Sequence, residues 1–159
     1  QSDFVNLEHE INHILKYIEI ENYKYNNAIK VKVDVPDELR RCLVPKIILQ
    51  PLIENAIHHG ILEKDSGTGT ISISSHRDGE DVLITIADDG IGMNVEQLNN
   101  LKNGLGSGIG YANTDRRIKL FFGSEYGLDI ESEEGKYTKI TIKIKERTED
   151  SDNDCNNDC

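Results

Sequence analysis

The sequence is short of cysteine and has no long apolar run. Its three cysteines, Cys42, Cys155 and Cys159, are odd in number and follow no framework spacing. That usage excludes a disulfide scaffold and favours a reducing, cytosolic setting. No apolar segment approaches the roughly 20 residues that span a bilayer. The first residue is Gln1 and no signal-peptide pattern follows, so we expect a cytoplasmic piece of a longer protein.

The chain also has fewer basic than acidic residues. The chain has 18 Lys and Arg against 29 Asp and Glu, a formal net charge of −11. This balance argues against a nucleic-acid partner, because phosphate backbones are bound by Lys and Arg. It does not exclude a small phosphorylated ligand, which needs only local donors and a metal ion. The length of 159 residues suits one domain with a substantial core.

Hydrophobic periodicity predicts alternating helices and strands. Helices are predicted over 6–25, 45–59, 95–102 and 109–122, and strands over 29–35, 70–76, 82–87, 128–133 and 137–145. Pro45 is placed in the first turn of the second helix, Pro51 at a kink or restart, and Gly60 at its end. Asp-Gly and Glu-Gly pairs connect the strands as hairpins.

This order predicts an α+β fold, a two-layer sandwich in which helices cover one face of a mixed, mostly antiparallel sheet. We divide the chain into a leading helix over 1–28, a ligand-binding domain over 29–146 and an acidic, disordered tail over 147–159. The tail contains an Asp-rich run from Asp150 that is similar to a calcium loop. Because Cys155 stands where that loop needs Gly, we interpret the run as part of a solvated acidic tail.

Three segments carry candidate chemistry. The first, over 49–60, places the polar residues Glu54, Asn55, His58 and His59 near a helix end. An amphipathic helix with ordinary surface groups explains this segment about as well as a binding site does. The second follows a strand, where Asp88 precedes Gly90 and Gly92. A carboxylate there accepts from an amino group and the glycines allow a close approach, although an Asp-Gly turn alone is common.

The third segment is a glycine-rich run that leads into a helix. Four glycines alternate from Gly104 to Gly110, and their N–H groups together with the helix N-terminus suit a polyphosphate. No Gly-Lys-Ser/Thr follows, so the run is not a Walker loop, and no strand directly precedes it as in a dinucleotide fold. The alternative is a flexible linker, but linkers seldom lead directly into an apolar helix.

Together the three motifs resemble the ATP-binding domain shared by histidine kinases, gyrase-type enzymes, the large heat-shock ATPases and mismatch-repair ATPases. The run Glu-Asn-Ala-x-x-His-Gly over 54–60 looks like the kinase branch. The longer match from Pro45 to Ala56, with Asn113, Arg117 and the Tyr-Gly-Leu at 126–128, resembles the LytS-like sensor kinases. The resemblance covers about residues 5–145.

The resemblance implies a role for each motif residue. Asn55 would ligate Mg²⁺, Glu54 would act in catalysis by polarising the attacking group, and Asp88 would accept from the adenine amino group. His58 stands where many family members carry Lys or Arg, so it would neutralise phosphate less well. The remaining implied nucleotide-binding residues are His59, Gly90, Gly92, Gly106, Ser107, Gly108, Ile109, Gly110 and Thr138.

The same resemblance implies partners outside this chain. The phosphoacceptor histidine would lie in upstream dimerisation helices, because neither His9 nor His13 has the Pro-His-Phe context of an acceptor. ATP, Mg²⁺ and a response regulator are the expected ligands and partner, and the whole protein is expected to be a membrane-bound homodimer. A hydrolase or serine kinase of the same fold, and a degenerate docking module, stay open as alternatives. The zinc-protease pattern His9-Glu10-x-x-His13 is set aside because no third ligand follows.

Overall fold

The computed structural model describes residues 2–150, together with all side chains in that range except that of Ser107. The strands are β1 Phe4–Asn6, β2 Ile29–Asp34, β3 Leu43–Pro45, β4 Gly69–Asp78, β5 Asp81–Asp88, β6 Gly127–Glu133 and β7 Tyr137–Lys145. The α-helices are α1 Leu7–Lys24, α2 Asp37–Arg40, α3 Gln50–Asn55, α4 Val95–Lys102 and α5 Ile109–Phe122. A π-helical turn, Ala56–Ile61, continues α3, and a 3₁₀ turn, Gly106–Gly108, precedes α5.

The main sheet has five strands in the order β2-β4-β5-β7-β6. Only the β2–β4 pair is parallel, and the other three pairs are antiparallel. A separate antiparallel pair joins β1 to β3, with Phe4 opposite Pro45. The described residues therefore confirm the predicted α+β class and the mixed, mostly antiparallel sheet.

One face of the sheet is covered by helices because the strands alternate apolar and polar side chains. Ile71, Ile84 and Ile142 on that face are fully buried, whereas Lys30 and Lys32 on the other face are exposed. From the helical layer, α1 contributes a stripe at spacings of four and three, namely Leu7, Ile11, Ile14 and Ile18, with at most 2% of each exposed. The two layers share one hydrophobic cluster.

Two predicted element ends are wrong. Pro45 does not begin a helix; it ends β3, where its missing N–H costs nothing at the margin of a two-stranded pair. Gly60 does not stop the second helix, because the chain stays helical to Ile61 and Gly60 does not adopt the positive φ of a C-terminal glycine. The helix begins only at Gln50, with Pro51 in its first turn.

Three short elements were not predicted: β1, β3 and α2. The predicted tail begins at 147, yet the carbonyl oxygen of Arg147 accepts a hydrogen bond from Leu43 N at 2.7 Å. The rest of the tail beyond 150, including Cys155, Cys159 and most of the Asp-rich run, lies outside the described residues. No helix within 2–150 has the length and apolar content that a membrane crossing requires.

Candidate functional site

A cavity of about 460 Å³ opens between the ends of β5 and β7 and the helical layer. Its walls come from α3 and the π-helical turn on one side and from α4 and the loop after β5 on the other. The sequence-predicted residues that line it are Asn55, His59, Asp88, Gly92, Gly106 and Thr138. The fold thus brings all three motifs to a single concave site.

Asp88 lies at the sheet end of this cavity. It is the last residue of β5, not the first residue beyond it as the sequence suggested, and it stands opposite Thr138 of β7. Only 6% of Asp88 is exposed, and its Oδ1 accepts a hydrogen bond from Gly90 N at 2.9 Å. Burial raises the pKa of Asp88 from 3.8 to about 6, although the Gly90 N–H acts in the opposite direction.

Two glycines make room for the Asp88 carboxylate. A Cβ on Gly60 would lie 2.7 Å from Asp88 Oδ1, and one on Gly90 would lie 2.6 Å from the same atom. A Cβ on Gly90 would also overlap the backbone of Gly60. Gly60 therefore serves the site by its small size, which explains why a glycine stands inside a helical turn.

The loop after β5 is held against the β6–β7 hairpin. Gly92 has a φ of 64°, and a Cβ there would overlap the carbonyl oxygen of Glu133. The next residue, Met93, donates its N–H to Ser132 Oγ at 2.9 Å and lines the cavity. Ser132 Oγ in turn lies 2.9 Å from Thr138 Oγ1. This network fixes one wall of the cavity.

Asn55 ends α3 and faces the cavity. Its Nδ2 atom is buried and has no hydrogen-bond partner among the described residues. A buried amide nitrogen without a partner costs on the order of 1–3 kcal/mol, so it indicates that a ligand or water completes the site. The amide oxygen of such a side chain is a ligand suited to a hard cation.

Glu54 does not line the cavity and faces α1. Gln50, one turn earlier in α3, donates from Nε2 to Glu54 Oε1 at 2.9 Å. The oxygen of the same Gln50 amide lies 2.8 Å from His13 Nε2. Because an amide oxygen only accepts, His13 is the donor in that contact. Glu54 is thus oriented by a two-residue chain that begins on α1.

The two histidines of the first motif face different ways. His59 lines the cavity. His58 instead directs its Nε2 toward α1, 3.2 Å from the Tyr17 hydroxyl and 3.7 Å from Glu21 Oε2. The structure therefore places His58 in the contact between α1 and the π-helical turn, away from the cavity-lining residues.

The glycine-rich segment contributes mainly backbone. Gly106 lines the cavity, and α5 begins at Ile109 directly after the 3₁₀ turn, without a side-chain cap. Gly108 packs against α4, since a Cβ there would lie 2.6 Å from Leu101 O, and a Cβ on Gly110 would touch Pro51. Ile109 is exposed, and the Ser107 side chain lies outside the described atoms.

Several lining residues were not predicted. They are mainly apolar, and they include Leu52, Ile86, Ile91, Met93, Leu101, Leu105, Ile130 and Ile140. Their patterns mark them as core positions, so nothing in the sequence distinguishes a residue facing a cavity from one facing a neighbour. The polar lining residues were missed for a similar reason, because nothing in the sequence distinguishes a polar residue facing a cavity from one facing solvent. They are Gln97 and Asn100 of α4 and Glu63.

Comparison with known proteins agrees with this geometry. The sequence model of the family described as histidine kinase-, DNA gyrase B-, and HSP90-like ATPase matches residues 44–148. That range covers both wall-forming helices, β5 and the glycine-rich segment. The chain belongs to this ATPase family.

Within the family, proteins of similar sequence include sensor kinases. The chain is 34% identical to sensor histidine kinase BtsS of Escherichia coli over 148 residues, which is 93% of the chain and 25% of BtsS. It is 33% identical to sensor protein LytS of Bacillus anthracis over 146 residues, 89% of the chain and 25% of LytS. The predicted LytS-like resemblance is confirmed. The chain spans about a quarter of the length of these relatives.

A solved structure shows the same fold. Histidine kinase AdeS of Acinetobacter baumannii superposes with a TM-score of 0.65 at 19% identity, covering 91% of this chain and 68% of that one. At that identity the likeness concerns architecture alone. It supports the sheet order and helix placement described above.

Proposed function

We propose that this chain is the ATP-binding catalytic domain of a sensor histidine kinase. The observation that carries the proposal is the convergence of Asp88, Asn55 and Gly106, the first residue of the 3₁₀ turn before α5, on one cavity in a chain of this ATPase family. A buried acceptor, a neutral oxygen ligand and the backbone of a glycine-rich segment that leads into a helix match an amino-bearing base, a metal ion and a polyphosphate respectively.

Asp88 is proposed to bind the adenine amino group. Its Oδ1 already accepts from Gly90 N, and the carboxylate still has lone pairs to accept from a ligand. A 6-oxo purine presents an acceptor at the same place, and two acceptors repel. The buried carboxylate therefore favours adenine over guanine.

Asn55 is proposed to hold Mg²⁺, and the residues present fit that ion. Asn55 lines the cavity, its amide oxygen would be the ligand, and Mg²⁺ is commonly held by one or two protein oxygens with phosphates and water; the buried Nδ2, which lacks a protein partner among the described residues, would donate to a phosphate oxygen or a water. The ion would neutralise charge on the phosphates when bound. The N–H groups at the start of α5 and the backbone at Gly106 would bind the phosphates from the other side.

Glu54 is proposed to orient or polarise the attacking group. Gln50 donates to Oε1 of Glu54, so Oε2 is the oxygen that would interact with the attacking group. The acceptor itself is proposed to be a histidine in dimerisation helices outside this chain, followed by transfer to a response regulator. A membrane-bound homodimer is part of the same proposal for the whole protein.

Calorimetry with Mg-ATP tests the binding proposal. We expect the chain to bind Mg-ATP and the Asp88→Asn and Asn55→Ala variants to lose most of that binding. Asp78→Asn and Asn12→Ala, at exposed positions outside the cavity, are the matched controls. Wild-type affinity that survives both cavity substitutions would refute the assignment. We also expect no phosphohistidine on this chain alone.

A further inference from the structure

Ser132 is a half-buried hydroxyl in β6 that was not among the predicted site residues. Its Oγ makes three contacts: with Met93 N at 2.9 Å, with the carbonyl oxygen of Tyr137 at 2.7 Å and with Thr138 Oγ1 at 2.9 Å. A hydroxyl has one proton and two lone pairs, so these contacts use its full capacity. Their directions can therefore be assigned.

The direction of each bond follows from chemistry. A backbone N–H only donates, so Ser132 accepts from Met93. A carbonyl oxygen only accepts, so Ser132 gives its single proton to Tyr137. The remaining lone pair of Ser132 must then accept from the Thr138 hydroxyl, because Ser132 has no second proton to donate. The proton of Thr138 is committed to Ser132.

This commitment changes what Thr138 offers to a ligand. Thr138 lines the cavity, and with its proton engaged it presents only lone pairs there. Its neighbour across the strand pair is Asp88, whose carboxylate also only accepts. Directly opposed residues of an antiparallel pair have Cβ atoms about 4.5–5.5 Å apart, so one small group can reach both side chains.

We propose that Ser132 is a specificity-determining residue of the base site. By taking the Thr138 proton, it makes Thr138 and Asp88 a pair of acceptors for the two hydrogens of one amino group. An exocyclic amine of the ligand satisfies both, whereas a carbonyl oxygen satisfies neither. This inference rests on the proposed ATP binding and adds the residue that enforces the preference for the amino group.

The test compares ATP with inosine triphosphate, which carries a carbonyl oxygen in place of the amino group. Calorimetry would give the ratio of the two dissociation constants for wild type, Ser132→Ala and Ser132→Thr. Freed from Ser132, the Thr138 hydroxyl can donate to the carbonyl, so we expect the ratio in Ser132→Ala to fall about tenfold. Ser132→Thr keeps a hydroxyl and should retain the wild-type ratio.

The Thr138→Val variant tests the same inference without changing Ser132. With no proton to offer, wild-type Thr138 helps ATP and not inosine triphosphate. The substitution should therefore weaken ATP by about five- to tenfold and should not weaken inosine triphosphate, whose carbonyl oxygen the Thr138 lone pairs repel. In the double variant Ser132→Ala/Thr138→Val, the ratio should equal that of Thr138→Val alone.

Two results would overturn the inference while ATP binding stands. One is an equal loss for both nucleotides in Ser132→Ala, which would leave Ser132 only as a tether for Met93. The other is an equal loss in Thr138→Val, which would mean that Thr138 has a free proton. If wild type bound neither nucleotide, the proposed function itself would fail and this inference with it.

Discussion

At the scale of single residues, the buried carboxylate of Asp88 lowers the stability of the fold and fits a role in ligand binding. Burial raises its pKa to about 6 from 3.8, so above pH 6 folding must keep a charge in a site that disfavours it. The penalty amounts to at most about 3 kcal/mol, and it vanishes below about pH 4, where the folded and unfolded chains are both protonated. A group kept at such a cost fits a role in ligand binding better than one in stability.

Asp88→Asn should therefore stabilise the protein. We expect its unfolding free energy at pH 8 to rise by about 1–2 kcal/mol, because the amide keeps the Gly90 bond without the buried charge. The gain should shrink to zero as the pH approaches 4. Urea unfolding at several pH values measures this, with the exposed Asp78→Asn as control. A gain that is independent of pH would contradict the assigned cause.

The same ionisation predicts how binding depends on pH. The carboxylate accepts from an amino group and its protonated form does so less well, so nucleotide affinity should fall as the pH drops below about 6. The Asp88→Asn variant retains whatever pH dependence the phosphates contribute. The difference between the pH profiles of wild type and Asp88→Asn therefore gives the contribution of Asp88. Calorimetry from pH 8 to 5 measures it. Parallel profiles for the two proteins would exclude Asp88 as the titrating group.

Gly92 and Gly79 distinguish two reasons why a position requires glycine, namely a positive φ and a lack of space for a Cβ. Their φ angles are 64° and 63°, but a Cβ on Gly92 would overlap the Glu133 carbonyl, whereas a Cβ on Gly79 would meet nothing within 4 Å. Gly79→Ala should cost about 1–2 kcal/mol of unfolding free energy from the backbone alone. Gly92→Ala should cost more and should also weaken nucleotide binding. Equal costs in urea unfolding would show that the hairpin yields to the added methyl group.

At the scale of elements, the loop between β3 and α3 is held in a strained form by its neighbours. Ile47 has a φ of 59° although it is β-branched, and its side chain is 55% exposed. Its N–H donates to the buried carboxylate of Glu10 at 2.7 Å, and Arg117 donates to the carbonyl oxygens of Lys46 and Ile47. Side chains from α1 and α5 thus hold the start of α3, and with it Asn55.

Ile47→Asn should relieve that strain. Asn tolerates the left-handed region, so we expect a gain of about 1 kcal/mol in unfolding free energy. The reverse substitution at Asn26 is the control. Asn26 has a φ of 55° and is exposed, so Asn26→Ile should lower the unfolding free energy by a similar amount. Thermal unfolding of both variants measures the pair. Loss of stability in Ile47→Asn would mean that the exposed Ile side chain contributes more than its backbone costs.

The sequence predicts these elements unevenly, for physical reasons. The long helices and the two hairpins follow from periodicity and turn residues, and α5 was predicted with its observed ends. The short strands β1 and β3 stabilise each other across about forty residues, so neither carries a local signal. Gly60 was misassigned because its small size serves Asp88, which lies 28 positions later in the chain, and a local pattern cannot show that contact.

The same limit applies to the site. Asn55, Asp88 and Gly106, which line the cavity, were predicted as site residues because each sits in a short motif of unusual composition. The orientation of His58 depends on Tyr17 and Glu21 of a distant helix, so the motif alone could not predict which way its side chain points. The role inferred for Ser132 depends on three partners from two strands and a loop, and only their joint geometry shows it.

At the scale of the whole molecule, the net charge of −11 acts on an anionic ligand from every direction. Around the cavity, Glu63 and Asp88 line the wall, and the Lys64 side chain lies 3.9 Å from the next carboxylate, Asp89. Attraction at the start of α5 is short-ranged, whereas the repulsion extends over the Debye length, about 30 Å at 0.01 M salt and about 10 Å at 0.1 M. An incoming nucleotide meets the repulsion first.

The association rate of Mg-ATP should therefore rise with ionic strength. We expect an increase of about two- to fivefold between 0.01 and 0.1 M salt, measured by stopped-flow fluorescence, because added ions screen the repulsive field. Adenosine carries no phosphate, so its association rate should stay constant over the same range and controls for effects of salt on the protein. A rate for Mg-ATP that falls with salt would mean that the positive potential at the N-terminus of α5 steers the ligand despite the overall charge.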